Sequence, residues 1–201
     1  MGAIELTLQP GETAAITGRS GIGKTTLLRI LAGLETAFEG EYSVPARLSM
    51  VFQEPTLLPW RSAKDNLCLV AGVDDAAAWA TLAEVGLEGK GDMFPDQLSL
   101  GQQRRLALAR AFANDPDVLF MDEPFVSLDP AMADEMMALF ARLRAHRSTA
   151  TVLVTHSQSE ADKLASRILT LDGSPACITR ERQNRGAYFQ LSASGVTTSK
   201  S

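Results

Sequence analysis

The stretch GRSGIGKTTLL, Gly18–Leu28, restricts the possible folds of this chain more than any other. Gly18 to Thr25 fit the spacing Gly-x-x-x-x-Gly-Lys-Thr. An apolar run, TAAIT (13–17), leads into it, and KTTLLRILAGL (24–34) leaves it with helical spacing, ending near Gly33. A strand that stops at a glycine loop and restarts as a helix curls backbone N–H groups around an anion. The helix start adds its partial positive charge. Gly18, Ser20, Gly21, Gly23 and Thr26 are then cradle residues, and Lys24 reaches the β- and γ-phosphates of a nucleotide. The Thr25 hydroxyl is a ligand for Mg²⁺. A glycine turn that binds nothing would not need both flanks. A dinucleotide fingerprint is disfavoured, because the glycines run G-x-x-G-x-G and a lysine follows.

Strands and helices alternate along the rest of the chain. The alternation IELTL, the turn PGE and the run TAAIT predict a hairpin leading into a buried strand. Strands are expected at 47–52, 117–121, 150–155 and 167–171, and helices at 100–113, 131–146 and 158–165. Residues 62–85 are helical in pattern and broken at Gly72, and the whole block 62–95 lacks strand signals. The expected fold is therefore α/β, a mostly parallel sheet covered on both faces, with a helical subdomain inserted at about 62–105. One domain over 1–180 is expected, followed by a loosely ordered Ser/Thr-rich tail, 181–201.

Bulk properties remove other classes. The 201 residues carry a net charge of −5 and no long basic run, which argues against nucleic acid as a partner. The two cysteines, Cys68 and Cys177, lack metal-ligand spacing and read as buried thiols. No apolar run approaches the ~18 residues of a spanning helix. The N-terminus lacks the basic-then-apolar order of a secretory signal, and Leu6 breaks the acylation pattern that Met-Gly would open. A chain of this kind serves a membrane only by docking onto a partner that spans it.

Two further strand ends carry chemistry. VLFMDEP delivers Asp122 and Glu123 to the carboxyl edge of the sheet, where ligands bind. Consecutive side chains diverge, so Asp122 is assigned to the metal and Glu123 to the attacking water. VTHS places His156 on the same edge, in reach of a γ-phosphate; His146, on an Arg-rich helix end, reads as structural. The stretch LSLGQQRRLALARA (98–111) opens another helix, and Ser99 and Gln102 have capping-box spacing. Arg104 and Arg105 stand at the unfavourable end of the helix dipole, which anions nearby would relieve. Gly101 would let backbone approach a ligand closely. The helical insert should carry this turn away from the chain's own phosphate loop. A head-to-tail dimer, each nucleotide lying between one chain's loop and the other's Ser99–Gln102 turn, accounts for both.

Together these residues resemble the ATP-binding subunit of ABC transporters. The resemblance covers roughly 4–172 and rests on GRSGIGKTT, VFQEP, LSLGQQRR, VLFMDEP, SLD and VTHS, in family order. It implies a P-loop NTPase with a RecA-like core, a helical subdomain and a trimmed antiparallel β subdomain. Its cofactors would be ATP and Mg²⁺, and its activity Mg-dependent ATP hydrolysis coupled to transport. Gln53 resembles the glutamine that senses the metal and couples to the membrane subunits, and is counted with Thr25 and Asp122 at the metal. Ser99, Gly101 and Gln102 look like the signature turn, and Asp129 like the aspartate that communicates between sites. Glu123 and His156 resemble the general base and the γ-phosphate switch. The implied partners are a second copy or a related ATPase subunit, integral-membrane permease subunits and, indirectly, a solute-binding protein. The implied place is the cytoplasmic face of the cell membrane. VFQEPTLLPWRSAKDNL resembles the nitrate, sulfonate and taurine importer group, and Leu57, Leu58 and Trp60 are either a docking patch or ordinary packing. Three departures stand out. Leu100 replaces a glycine, the span from Lys24 to Gln53 is short, and no aromatic residue precedes Phe38 to stack on adenine. A non-catalytic nucleotide-binding module and a soluble P-loop kinase of small molecules are the competing readings.

Overall fold

The computed structural model describes residues 2–145 and 147–184. Six strands form one sheet: β1 (Thr13–Thr17), β2 (Leu48–Val51), β3 (Val118–Asp122), β4 (Ala150–Val154), β5 (Arg167–Asp172) and β6 (Cys177–Gln183). Their order is β2-β3-β4-β1-β5-β6, and every pairing is parallel except β5 with β6. The helices are α1 (Lys24–Leu31), α2 (Ala63–Ala71), α3 (Asp75–Glu84), α4 (Leu100–Phe112), α5 (Pro130–Arg144) and α6 (Gln158–Leu164).

Side-chain alternation divides the core in two. Along β3, Leu119 and Met121 face one layer with Leu67, Leu82, Leu106, Phe112 and Phe140. Val118 and Phe120 face the other, with Leu27, Leu28, Val152 and Leu169. These strands are apolar on both sides because helices cover both sides. The insert between β2 and β3 contains α2, α3 and α4, as its lack of strand signals predicted, and α2 ends at Gly72 in the left-handed conformation.

The N-terminal hairpin does not form. Residues 2–8 alternate half-buried and exposed, so the pattern is real, and Ile4, Leu6 and Leu8 pack on the second layer. But β1 already pairs with β4 on one side and β5 on the other, leaving no edge for a hairpin partner. The trimmed β subdomain is also reduced further than expected. Among the described residues no strand lies between α1 and β2, and a groove of about 970 Å³ lined in part by Leu6, Leu8, Leu31, Val44 and Phe120 opens there.

Strand β6 had no counterpart in the sequence reading and enters the expected tail by three residues. It is a charged, exposed edge strand, Cys177-Ile-Thr-Arg-Glu-Arg-Gln, of the kind that discourages edge-to-edge association. Arg182 pairs with Asp162 of α6, and the Asn184 side chain donates to the Asp162 and Ala165 carbonyls at 2.7 Å each. The tail beyond Asn184, and His146, lie outside the described residues.

Candidate active site

Parallel pairing puts the carboxyl ends of β1, β2, β3 and β4 on one edge of the sheet. The loop after β1 needs Gly18: its φ is +148°, and a Cβ there would meet the Leu171 carbonyl oxygen at 2.6 Å. Gly21 and Gly23 are left-handed too, and Gly23 is the N-cap of α1. Lys24 is buried, and its ammonium donates to the Gly18 and Arg19 carbonyls at 3.0 and 3.1 Å, which centres the charge within the loop. Ser20, Thr25 and Thr26 are exposed at the mouth.

The Thr25 hydroxyl donates to Asp122 Oδ1 at 2.9 Å. Burial pushes the Asp122 carboxyl above its ordinary pKa and Glu123 adds to the rise, against the Thr25 hydrogen bond and the positive charges of Lys24 and Arg29. A carboxylate held in a place that disfavours its own charge, with a hydroxyl beside it, fits a hard divalent cation. Mg²⁺ takes few protein oxygens and completes its shell with phosphate and water. Among the described residues no cluster of three or more His, Cys, Asp or Glu is present. Gln53 is exposed two residues beyond β2, whose last residue, Val51, pairs with Met121 next to Asp122.

Glu123 has φ +46°, a left-handed conformation for a side chain that avoids it, while its N–H donates to Val154 at 2.9 Å. This bend turns the chain sharply after Asp122 and separates the two carboxylates. Glu123 Oε2 lies 3.1 Å from His156 Nδ1. Thr17, Gly18, Arg19, Ser20, Glu123, His156, Gln158 and Thr170 line a pocket of about 630 Å³ over the phosphate loop. The residues expected from three separate motifs are brought together there, and no residue of 98–102 is among its walls.

The Ser99–Gln102 turn is a complete capping box. The Ser99 hydroxyl accepts from the Gln102 N–H at 3.3 Å, and Gln102 Oε1 accepts from the Ser99 N–H at 3.0 Å. One reading of this turn needs correction, and Gly101 carries a further constraint: it is buried, and a Cβ on it would meet Met132 Sδ of α5 at 2.8 Å, so helix packing also favours a glycine there. Arg104 and Arg105 need no anion from a nucleotide. Arg104 donates to the Pro124 and Val126 carbonyls, and Arg105 to the Val85 carbonyl and Glu135. Exposed Leu100 is left at the tip.

Asp129 caps α5 by accepting from the Met132 N–H at 3.0 Å. Asp-Pro before an apolar helical run signals such a cap, and the sequence reading passed over it. It also passed over Thr155, Ser157 and Glu160. Ser157 accepts from the Glu160 N–H, and the Thr155 hydroxyl donates to Glu160 Oε2 at 2.5 Å and accepts from the Ser157 N–H. His156 is thus held within a closed turn, legible in retrospect as Ser-x-x-Glu. Of the apolar trio, Leu57 packs on the core margin, Leu58 is half-buried and Trp60 is 67 % exposed.

Comparison with known proteins agrees with this geometry. A family model described as ABC transporter matches residues 1–126. The chain is 43 % identical over 196 residues to the aliphatic sulfonates import ATP-binding protein SsuB 2 of Pseudomonas syringae pv. syringae, spanning 94 % of this chain and 72 % of that protein. It is 46 % identical over 171 residues to SsuB 3 of Paraburkholderia xenovorans, spanning 84 % and 69 %. The ATP-binding cassette MJ0796, solved as a dimer in a post-hydrolysis state with ADP and Pi, superimposes with a TM-score of 0.77 at 30 % identity, covering 91 % of this chain and 90 % of that one. With its phosphate loop, Asp122, Glu123 and His156 on one sheet edge, the chain belongs to the ABC transporter family, as one of its nucleotide-hydrolysing subunits.

Proposed function

We propose that two copies of this chain hydrolyse Mg-ATP in composite sites and drive the membrane subunits of an importer for aliphatic sulfonates or a similar small organic anion. The observation that carries the chemistry is the Glu123–His156 pair, 3.1 Å apart at the wall of the phosphate pocket. Glu123 takes the proton of the attacking water. The His156 ring, steadied at Nδ1, keeps Nε2 for the γ-phosphate or that water. Lys24 and the loop N–H groups stabilise the charge that builds on the phosphate oxygens. Thr25 and Asp122 would hold Mg²⁺, with Gln53 sensing it, and the ion when bound neutralises β- and γ-phosphate charge.

Ser99, Gly101 and Gln102 complete the partner's site in this reading. The Ser99 and Gln102 side chains are spent on the cap, so the turn offers the unpaired N–H groups of the first turn of α4 and an exposed hydroxyl oxygen. Asp129 caps the neighbouring α5, whose Met132 lies against Gly101, and in this reading communicates between the two sites. Trp60 is the docking residue for a permease, and a solute-binding protein acts from the far side of the membrane. None of the described helices is long and apolar enough to span a bilayer, so attachment through that permease places the chain at the membrane surface. A soluble kinase would make no use of the 98–102 turn.

Mixing Lys24→Ala chains with Ser99→Ala chains tests the composite site. Each mixed dimer retains one intact site, so hydrolysis should return to a substantial fraction of wild type while either variant alone is inactive. Mixtures that dimerise and recover no phosphate release would refute the shared site. Glu123→Gln should lower the Mg-ATP hydrolysis rate by 100-fold or more and still bind ATP; equal rates for variant and wild type would refute the chemistry.

A further inference from the structure

Arg104 is buried, with 9 % of the residue exposed, yet among the described residues no carboxylate is hydrogen-bonded to its guanidinium. Nη1 donates to the Pro124 carbonyl at 2.6 Å and Nη2 to the Val126 carbonyl at 3.0 Å, while Nε is buried without a partner among the described residues. A buried charge satisfied only by carbonyls is costly, and the donors that satisfy it fix the backbone they hold. Here that backbone is the turn that follows Glu123. Pro124 is the next residue, and the Val126 N–H closes the turn on the Glu123 carbonyl at 3.3 Å. Glu123 itself stands at φ +46°, and Ser127 at φ +61°. Two non-glycine residues in the left-handed region within five positions persist only where surrounding contacts over-determine them. From β4, the Val154 carbonyl holds Glu123 at its N–H; from α4, Arg104 holds the carbonyls on the other side.

We propose that Arg104 is a positioning residue for Glu123. It locks the Pro124–Val126 turn so that the Glu123 carboxylate projects into the phosphate pocket beside His156. Phe52 and Pro55 line the same small cavity as Arg104 and Pro124, which brings the segment after β2 to the same point. The inference rests on Glu123 being the base, and its test separates the two.

Steady-state Mg-ATP hydrolysis by the full chain is measured for Arg104→Met, Arg104→Lys, Glu123→Gln and the double variant Arg104→Met/Glu123→Gln, with ATP binding and Tm measured alongside. Arg104→Met keeps the length of the side chain and should lower kcat at least tenfold with KM changed less than twofold. Arg104→Lys, which retains the charge and donors, should recover part of kcat. The double variant should be no slower than Glu123→Gln alone, because Arg104 acts only through Glu123. A kcat for Arg104→Met within twofold of wild type beside an inactive Glu123→Gln overturns the positioning role and leaves the base in place. A Glu123→Gln rate equal to wild type overturns the base instead. Should Arg104→Met fail to fold, the lysine variant decides: a kcat loss of threefold or more at unchanged KM supports the role, and wild-type kinetics overturn it.

Discussion

Glu160 shows how one side chain can serve a site at a cost to the fold. Burial pushes its carboxyl above the ordinary glutamate range, against the Thr155 hydrogen bond and His156. The folded chain therefore holds this proton more tightly than the unfolded chain does. Stability falls as pH rises from the unfolded value through the raised folded one, and the penalty is complete above it. Glu160→Gln removes the charge and keeps an acceptor for Thr155. Its Tm should exceed that of wild type at pH 7.5, and the gap should close as pH is lowered toward 4.5, the ordinary value of the group. Thermal melts at several pH values check this; a gap that widens on acidification would contradict it. Asp122 follows the same logic at the phosphate loop: Asp122→Asn should raise Tm and abolish Mg-dependent ATP affinity in calorimetry, since the charge is retained for the cation and not for the fold. Asp122 was legible in the sequence and Glu160 was not; neither environment was, because burial is a property of what packs around a residue.

At the scale of elements, the segment 52–62 that presents Trp60 has no regular structure of its own. Two side chains hold it. Fully buried Asn66 of α2 accepts from the Leu58 N–H at 2.8 Å and donates to the Leu58, Arg61 and Ser62 carbonyls at 3.2, 3.1 and 3.0 Å. Arg110 of α4 donates to the Pro55 and Thr56 carbonyls. Removing the Asn66 side chain strands several buried polar groups, at about 1–3 kcal/mol. Asn66→Ala should therefore lower the unfolding free energy by that amount in urea melts and increase quenching of the segment's tryptophan, with hydrolysis by the isolated subunit little changed. Secondary structure was largely readable, because Gly72, the caps and the apolar periods are local signals. The hairpin failed because alternation reports which side of a strand is buried and says nothing of whether an edge is free. Strand β6 was missed because a charged edge strand resembles a tail, and only its pairing with β5 and its ties to α6 identify it.

The described residues build one sheet whose carboxyl edge gathers the candidate nucleotide site and whose other end borders the groove beside segment 2–8. The extended segment 2–8 carries Ile4, Leu6 and Leu8 onto the core and no ring to stack on a base. Base stacking contributes ~1–3 kcal/mol in nucleic-acid binders, so a base left unstacked would bind roughly 5- to 150-fold more weakly. Calorimetry with Mg-ATP and Mg-GTP on the Glu123→Gln chain should give dissociation constants within about fivefold of each other; strong ATP preference with tight binding would require an aromatic from another part of the assembly. By itself the chain's order of residues determined the phosphate loop, the carboxylate pair, the helical insert and the parallel sheet, because each is written in short-range spacing that the backbone must obey. Tertiary structure alone decided that Gly101 makes room for Met132, that Arg104 grips the turn after Glu123, and that β1 has no edge to spare. Those outcomes depend on which distant segments arrive beside a residue, and local spacing carries no record of that.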